Sequence, residues 1–258
     1  IFHQTPIVYT RRVDFVPSGF STRLKYKFTD KVVSISNVIS LILKKSGMYV
    51  DSPIISSAVK NKNLDIERAL KLKRSLGVKD SVKIIGLVSA LESHKDPTTA
   101  LKTIKELKKS RENFAVLHFG DGVLSDQVSN MVKKLNLSQL YFQLGYHENV
   151  EDYFSIMDVF LMTSKEEGLG SSVLDAFNYE VSVVSTNAGG LDDLVKGKGF
   201  LCGIGDTQCL SKGLSLALDS SKESVVYKKN AKEYCDNEMG VSLMASKYID
   251  LYRKLING

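Results

Sequence analysis

The sequence predicts an α/β fold in which one parallel β-sheet carries helices on both faces. From residue 82 onward, short runs rich in β-branched residues alternate with amphipathic helical patterns. The runs are apolar throughout, which is typical of strands buried on both faces. Glycine follows four of the first five runs, and glycine at such strand ends gives a ligand close access to the backbone. Together these observations indicate one doubly wound domain.

Composition excludes several classes of protein. Hydrophobic residues make up 43% of the 258 and charged residues 25%, which are ordinary values for a folded chain and not those of a disordered one. The densest apolar stretch, Val32 to Leu43, is too short and too polar for a transmembrane helix. The net charge of +6 indicates solvated helix faces or attraction to anionic ligands or a membrane surface. Basic runs interleaved with aromatic residues are missing, so we expect no nucleic-acid partner.

The N-terminal residues contain few elements. Ile7–Tyr9 and Val32–Ser36 are predicted strands, and Asn37–Lys45 is a predicted helix. So few elements cannot bury a core of their own. Because the sequence also begins with Ile1 and not Met, we expect residues 1–62 to be the incomplete end of a larger Rossmann-like domain.

Two further expectations concern the segments around that N-terminal part. The apolar residues around Val33–Ile42 are expected to lie on an exposed face that the larger domain would otherwise cover. Residues 63–75, rich in Lys and Arg, are predicted to form a linking helix.

The main Rossmann-like domain is expected over residues 76–238, and a terminal helix within 239–258. Asp96 and Pro97 suit the N-cap and first position of one helix, and Ser171–Tyr179 is predicted to be another. The predicted strands are Val82–Val88, Phe114–Phe119, Leu140–Leu144, Val159–Thr163, Val181–Ser185 and Gly199–Cys202.

Cysteine and histidine spacing gives no sign of a metal or redox site. The three cysteines, Cys202, Cys209 and Cys235, have neither metal-ligand nor redox-motif spacing, so we expect reduced thiols, as in a cytosolic protein. No Walker loop or Gly-x-Gly-x-x-Gly motif is present. The adjacent acids Asp192 and Asp193 are interpreted as a helix-start pair. We therefore expect no metal and no cofactor.

Candidate binding residues lie where the predicted strands end, which is where ligands bind in open α/β sheets. The loop of Glu166–Ser172 leads into a helix whose first amides would attract a phosphate group. Lys95 also precedes a helix start and would suit phosphate. Glu167 and Asp175 would accept hydrogen bonds from sugar hydroxyls. The residues alone leave alternatives open: a solvated loop lysine, an exposed loop acid and a favourable first-turn helix charge, respectively.

The histidines also have both structural and functional interpretations. His118 lies within a predicted strand and is expected in the core. His94 and His147 lie in loops at strand ends, where they are either cleft-lining or ordinary loop residues.

A series of short segments then occurs in a recognisable order. It resembles the donor-binding half of the family 4 (group 1) retaining glycosyltransferases, whose GT-B fold has two facing Rossmann-like domains. The loop Ser164–Gly170 followed by Asp175-Ala176 matches the family's Ser/Thr-x-x-Glu-Gly-aromatic-Gly loop and its following Glu-Ala. The other matching segments are Thr10–Phe15, Val33–Asn37, Lys95, Gly120-Asp121-Gly122, Leu144-Gly145-Tyr146, Val181–Thr186, Ala188-Gly189-Gly190 and Gly199–Asp206.

The resemblance implies roles for individual residues. Lys95 would balance the donor diphosphate, Glu167 would bind the donor-sugar hydroxyls as the catalytic residue, and Asp175 would bind the ribose. Gly145 and Tyr146 would border the base. The terminal helix would cross back to the N-terminal domain. The remaining donor-binding positions would be Ala90, Gly120, Gly122, Gly168, Leu169, Gly170 and Ser171.

Three positions depart from the family pattern. Ala90 stands where the family usually has Arg, so we expect the diphosphate charge to be less compensated. Asp175 replaces a glutamate and is shorter by one methylene, so we expect a shifted or water-mediated ribose contact. Leu169 replaces the usual aromatic residue of the loop.

The resulting hypothesis is a glycosyltransferase that moves a sugar from a nucleotide-diphosphate donor to a saccharide or lipid-linked acceptor with retention. By this resemblance it would act in bacterial cell-envelope polysaccharide or lipopolysaccharide synthesis, in the cytoplasm or at the inner face of the cytoplasmic membrane, where it would associate peripherally. Two alternatives stay open: a sugar-nucleotide 2-epimerase of similar architecture, and a non-catalytic nucleotide-sugar binding protein.

Overall fold

The computed structural model describes residues 5–47 and 51–257. It contains a six-stranded parallel sheet of order β5-β4-β3-β6-β7-β8 and a two-stranded parallel sheet of β1 and β2. Helices cover both faces of the larger sheet. The predicted α/β fold class is therefore confirmed.

The smaller sheet belongs to the N-terminal segment. Its elements are β1 (Val8–Arg11), α1 (Phe20–Lys27), β2 (Lys31–Ser34) and α2 (Asn37–Lys45). The expected apolar exposed face around Val33–Ile42 is wrong for most of that range, because Val33 and Ile39 are fully buried, although Leu41 is exposed. Other exposed apolar side chains lie on and before α1, at Phe15, Val16 and Phe20.

The larger sheet is built from six strands. They are β3 (Lys83–Val88), β4 (Phe114–Phe119), β5 (Tyr141–Gly145), β6 (Val159–Met162), β7 (Ser182–Thr186) and β8 (Phe200–Cys202). The associated helices are α3 (Ile66–Ser75), α4 (Pro97–Leu107), α5 (Ser125–Lys134), α6 (Ser171–Asn178), α7 (Gly190–Val195), α8 (Thr207–Leu218), α9 (Lys222–Glu238) and α10 (Val241–Asn257). Short 3₁₀ turns cover Ser93–Lys95 and Val150–Ile156.

Two apolar clusters lie on opposite faces of this sheet. Helices α4, α5 and α8 pack on one face, and α3, α6, α7 and α9 contribute to the other. Successive strand residues alternate between the clusters, as Ile84 and Ile85 of β3 do, because side chains of a strand point to opposite faces in turn. Burial on both sides explains why the strands lack a polar face.

The sheet order reverses between β3 and β6. The chain runs outward from β3 to β5, returns to place β6 beside β3, and then runs outward in the other direction to β8. At the start of β6, the Asp158 carboxylate accepts a hydrogen bond of 2.8 Å from the Ile84 N–H and pairs with Lys83. This carboxylate therefore ties the start of β6 to the start of β3.

The last helix contacts the N-terminal segment. The hydroxyls of Thr10 and Tyr248 are 2.8 Å apart, and the Val59 N–H donates to the Met239 carbonyl at 2.9 Å, just before α10 begins. Among the described residues, no helix is both long and apolar enough to cross a bilayer.

The expectation of three reduced thiols is wrong for two of the cysteines. Cys202 ends β8 and Cys209 lies in the first turn of α8, and the two are joined by a disulfide with Cα atoms 5.7 Å apart. The intervening turn leads into α8, whose N-cap Asp206 accepts a hydrogen bond from the Cys209 N–H, and it brings these Cα atoms within bonding range. Cys235 is a free, buried thiol whose pKa is raised to about 12 by desolvation.

We expect thiol labelling to show this pairing. Folded protein should react slowly with iodoacetamide, because burial keeps Cys235 protonated. Denatured protein should label at Cys235 alone without reductant, and at all three cysteines after reduction. Mass spectrometry of the labelled peptides measures this. Labelling of Cys202 and Cys209 in denatured, unreduced protein would contradict the disulfide.

Candidate functional site

A cavity of about 310 Å³ opens where the sheet order reverses. One wall is formed by the turn that follows β3 and by the loop that follows β6. The facing wall comes from the N-terminal segment. The residues around the cavity are Arg12, Val13, Asp14, Ile35 and Ser57 on the N-terminal side, and His94, Lys95 and Glu166–Ser171 on the other.

The two loops of the larger domain are tied together through their backbones. The His94 carbonyl accepts hydrogen bonds from the Lys165 N–H at 2.7 Å and the Glu166 N–H at 3.4 Å. The Thr163 hydroxyl donates to the carbonyls of Lys95 and Asp96. Lys95 and the Glu166–Gly170 loop are therefore held at fixed positions relative to each other before any ligand binds.

Glycines allow a third loop to support this arrangement from behind. The Gly190 N–H donates to the Glu167 carbonyl at 2.7 Å. A Cβ atom on Gly189 would lie 2.4 Å from the Glu167 carbonyl oxygen, and one on Gly190 would lie 2.5 Å from that of Gly168. Such contacts are closer than any side chain allows, so this pair of glycines is what lets the loop after β7 pack directly on the loop after β6.

The N-terminus of α6 lies at the cavity, which its first residue, Ser171, lines. Gly170, at a left-handed φ of 84°, is the N-cap, and no side chain caps the helix. The amides of Ser171 and Ser172 are thus left for an external acceptor. A helix N-terminus of this kind favours an anion.

Lys95 and Glu167 meet in this cavity. Their charged atoms are 2.5 Å apart, and their side chains are 19% and 13% exposed. The alternatives of a solvated loop lysine and an exposed loop acid are therefore wrong. In the absence of a ligand, each of these groups neutralises the other.

Asp175 lies in a different environment, outside the residues that line the cavity. It is close to the ion pair of Lys62 and Glu151, whose charged atoms are 2.5 Å apart. Burial, and to a smaller extent the Glu151 charge, raises the pKa of Asp175 to about 6, although Lys62 opposes this shift. α6 has no acid in its first turn, so the interpretation of Asp175 as a first-turn charge is wrong.

The other predicted positions lie at neighbouring strand ends. Gly120 and Gly145 are joined by an N–H···O=C bond of 2.7 Å, and a Cβ atom on Gly122 would lie 2.5 Å from the Leu91 carbonyl oxygen. Ala90 and Tyr146 are exposed. Neither these glycines nor Ala90 nor Tyr146 lines the cavity.

The histidine of the strand and the two histidines of the loops lie in different environments. His118 is a core residue, as expected: it lies within hydrogen-bond distance of Tyr141 and Ser89, and desolvation lowers its pKa to about 4. His94 lines the cavity, whereas His147 bonds to the Tyr153 hydroxyl and packs edge-on against Phe119.

Sequence reasoning missed several residues that surround these sites. Arg12, Asp14 and Ser57 line the cavity, and Lys62 pairs with Glu151 beside Asp175. The segment Thr10–Phe15 was recognised only as a resemblance, and nothing in its spacing indicates which of its two arginines faces a ligand. Within the described ranges, no cluster of three or more His, Cys, Asp or Glu side chains could hold a metal ion.

We expect Asp175→Asn to stabilise the protein at neutral pH. The folded protein holds this proton more tightly than the unfolded chain, from a pKa of 3.8 to about 6. Its contribution to stability therefore falls as pH rises through that window and is unfavourable above it, by at most about 3 kcal/mol. Urea unfolding should show a more stable Asp175→Asn variant at pH 7.5 and no difference near pH 4.

An exposed acid at a helix start provides the control. Asp126 lies in the first turn of α5, so Asp126→Asn should slightly destabilise the protein at pH 7.5 by removing a favourable helix-dipole interaction. If Asp175→Asn also destabilised the protein at pH 7.5, that result would contradict the raised pKa of Asp175.

Comparisons with solved structures agree with this architecture. A glycosyltransferase from Rickettsia africae superposes with a TM-score of 0.82 at 20% identity, over 96% of this chain and 70% of that one. Anabaena HepE in complex with UDP-glucose gives a TM-score of 0.83 at 18% identity, over 96% and 72%. The fold is GT-B.

Curated relatives include bacterial transferases. One is the Campylobacter jejuni alpha-1,4-N-acetyl-D-galactosaminyltransferase named for a PP-undecaprenol-linked saccharide, which is 28% identical over 67% of this chain and 49% of its own length. Another is the Escherichia coli UDP-Gal:alpha-D-GlcNAc-diphosphoundecaprenol alpha-1,3-galactosyltransferase, which is 25% identical over 89% and 62%. The chain spans about half the length of the curated relatives that it matches.

The family itself follows from the match to a family model. Residues 69–234 fit the model described as glycosyl transferases group 1, a range that includes the six-stranded sheet, Lys95, the Glu166–Gly170 loop and Asp175. The chain belongs to the group 1 glycosyltransferases.

Proposed function

We propose that this chain binds a nucleotide-diphosphate sugar and takes part in transfer of the sugar to an acceptor with retention at the anomeric carbon. The observation that carries this proposal is the convergence of Lys95, Glu167 and the uncapped N-terminus of α6 on one cavity. A diphosphate needs cationic and N–H groups, and a sugar needs hydrogen-bond acceptors. This cavity offers both within a single rigid pair of loops.

The donor would lie along the carboxyl ends of the strands. The amides of Ser171 and Ser172 and the Lys95 ammonium would hold the diphosphate. Glu167, as the catalytic residue, would accept hydrogen bonds from the sugar hydroxyls. Gly168, Leu169 and Gly170 would approach the sugar or phosphate through their backbone.

The nucleoside would extend away from the cavity toward Asp175. That carboxylate, beside Lys62 and Glu151, would accept hydrogen bonds from the ribose. Gly145 and Tyr146 would border the base, with the Gly120–Gly122 turn beneath them.

Donor binding would exchange the partners of the Lys95–Glu167 pair. The phosphate would take over the ammonium, and the sugar hydroxyls would take over the carboxylate. Because both groups are already desolvated and oriented, little rearrangement is needed. Catalysis would rest on positioning and on stabilising the negative charge of the leaving diphosphate. The protein's own groups would provide that stabilisation without a cofactor.

The acceptor proposal comes from the relatives and from the surface. Two of the relatives are named for undecaprenol-linked saccharides, so we propose a saccharide or lipid-linked acceptor in cell-envelope glycan synthesis. Phe15, Val16 and Phe20 are exposed beside the basic residues of α1, which favours peripheral contact with an anionic membrane surface. The site of action would then be the inner face of the cytoplasmic membrane.

We expect Lys95→Ala to weaken nucleoside diphosphates and nucleotide sugars alike. Loss of a charge-assisted hydrogen bond of about 1.5–3 kcal/mol implies at least roughly a tenfold loss of affinity. The variant also leaves the Glu167 carboxylate unpaired next to the phosphate. The double variant Lys95→Ala/Glu167→Gln should therefore recover part of the affinity for the nucleoside diphosphate.

Glu167→Gln alone separates the two roles. It should bind free nucleoside diphosphate as well as or better than the wild type, and bind the sugar-bearing donor more weakly. Calorimetry with UDP, GDP and ADP and their sugar derivatives measures both. Equal losses for both ligand types, or no recovery in the double variant, would contradict these assignments.

Turnover distinguishes the proposed transferase from its alternatives. The protein is incubated with UDP-, GDP- and ADP-sugars and with an undecaprenyl-diphosphate saccharide in phosphatidylglycerol vesicles, and vesicle-bound protein is measured by sedimentation. We expect nucleoside diphosphate release that depends on the acceptor, and a product with the donor's anomeric configuration. Interconversion of two donors without acceptor would indicate an epimerase, affinity without turnover a binding protein, and an inverted product would contradict retention.

A further inference from the structure

Arg12 is an exposed cation in the cavity wall that has no carboxylate partner among the described residues. It follows β1 and lines the cavity opposite Lys95. Its guanidinium donates to the Ser57 hydroxyl at 2.9 Å, and it forms no ion pair with any residue in the described ranges. Its neighbour Arg11 is buried and donates to the Tyr26 hydroxyl at 2.7 Å. Of the two adjacent arginines, Arg11 therefore holds the N-terminal segment together and Arg12 is presented to the cavity.

The nearby lysines differ from Arg12 in being paired. Lys95 is bound to Glu167, and Lys165 lies 3.3 Å from the buried carboxylate of Asp96. Position 90, at the end of β3, is an exposed alanine and supplies no charge. Arg12 is thus an exposed positive charge on this wall that is available to an anionic ligand.

The chain next to Arg12 lies close to the loop that leads into α6. Asp14, two residues further along, has its Cβ atom 3.3 Å from where a Cβ on Gly168 would lie. Ile39 of α2 approaches the same glycine equally closely. The N-terminal segment therefore packs directly over the loop that leads into α6, and Arg12 and Ser171, the first residue of α6, line the same cavity.

We propose that Arg12 binds the diphosphate of the donor and supplies the charge that Ala90 lacks. This inference rests on the proposed function. The planar guanidinium can bind two phosphate oxygens at once, which an ammonium group cannot do. Because Arg12 belongs to the N-terminal sheet and Lys95 to the larger one, the diphosphate would be held from both sides of the cleft.

Pyrophosphate is used as the probe, because its binding does not depend on which base the donor nucleotide carries. Its affinity, and that of UDP, GDP and ADP, is measured by calorimetry for the wild type, Arg12→Gln, Arg12→Lys and the control Arg23→Gln. Arg23 is an exposed arginine on α1 away from the cavity, so its variant has the same change in net charge. The parent nucleosides, which lack phosphate, are titrated in parallel.

We expect Arg12→Gln to bind pyrophosphate and the preferred nucleoside diphosphate about tenfold more weakly or worse. The affinity of Arg12→Lys should lie between those of Arg12→Gln and the wild type, since this variant keeps the positive charge but lacks the planar guanidinium. Arg23→Gln should stay within about twofold of the wild type, as a screened surface charge has little effect. Nucleoside affinity should be the same for all four proteins.

The outcomes separate this inference from the function on which it rests. Arg12→Gln that matches the wild type for pyrophosphate, while Lys95→Ala weakens it, overturns the role of Arg12 and leaves the proposed function intact. Absence of pyrophosphate and nucleoside diphosphate binding by the wild type overturns both. Should Arg12→Gln unfold, as judged by its thermal transition, Arg12→Lys decides: unchanged pyrophosphate affinity in that variant overturns bidentate binding.

Discussion

The parallel pairing of β3 with β6 is the constraint on which the site depends. Ile85 and Gly86 of β3 lie beside Val159 and Phe160 of β6, although many residues separate them in the chain. Right-handed crossovers place the helices after β3 on one face of the sheet and the helix after β6 on the other. The loops that follow these two strands therefore diverge and leave a crevice, in which Lys95 and Glu167 face each other.

Backbone contacts turn that crevice into a rigid cavity. The His94 carbonyl binds the loop after β6 from one side, and the glycines of the loop after β7 pack on it from the other. Neither contact involves a side chain that a ligand would need. The Glu167 carboxylate and the first amides of α6 are therefore not used in holding the loops together.

Much of the larger sheet was predictable, because its signals are local. Strands buried on both faces read as apolar runs, and the predicted Phe114–Phe119 matches β4 residue for residue. The convergence of Lys95 with the Glu166–Gly170 loop follows from the rule that parallel strands end at one edge. The Lys62–Glu151 pair and the place of Arg12 depend on how separate segments fold toward each other. No local spacing encodes these arrangements.

The acids at the two ends of the proposed donor path lie in different electrostatic environments. Glu167, proposed to bind the sugar, is paired with Lys95, whereas Asp175, proposed to bind the ribose, lies by a lysine that is already paired with Glu151. An unpaired carboxylate in either place would be costly to bury, as the raised pKa of Asp175 already shows. Lys62 only partly offsets the burial of Asp175, whose pKa stays raised, whereas the Lys95 ammonium lies in direct contact with the Glu167 carboxylate. Arg12 differs from both lysines, since no carboxylate within the described ranges pairs with it, and the proposed diphosphate would take that place.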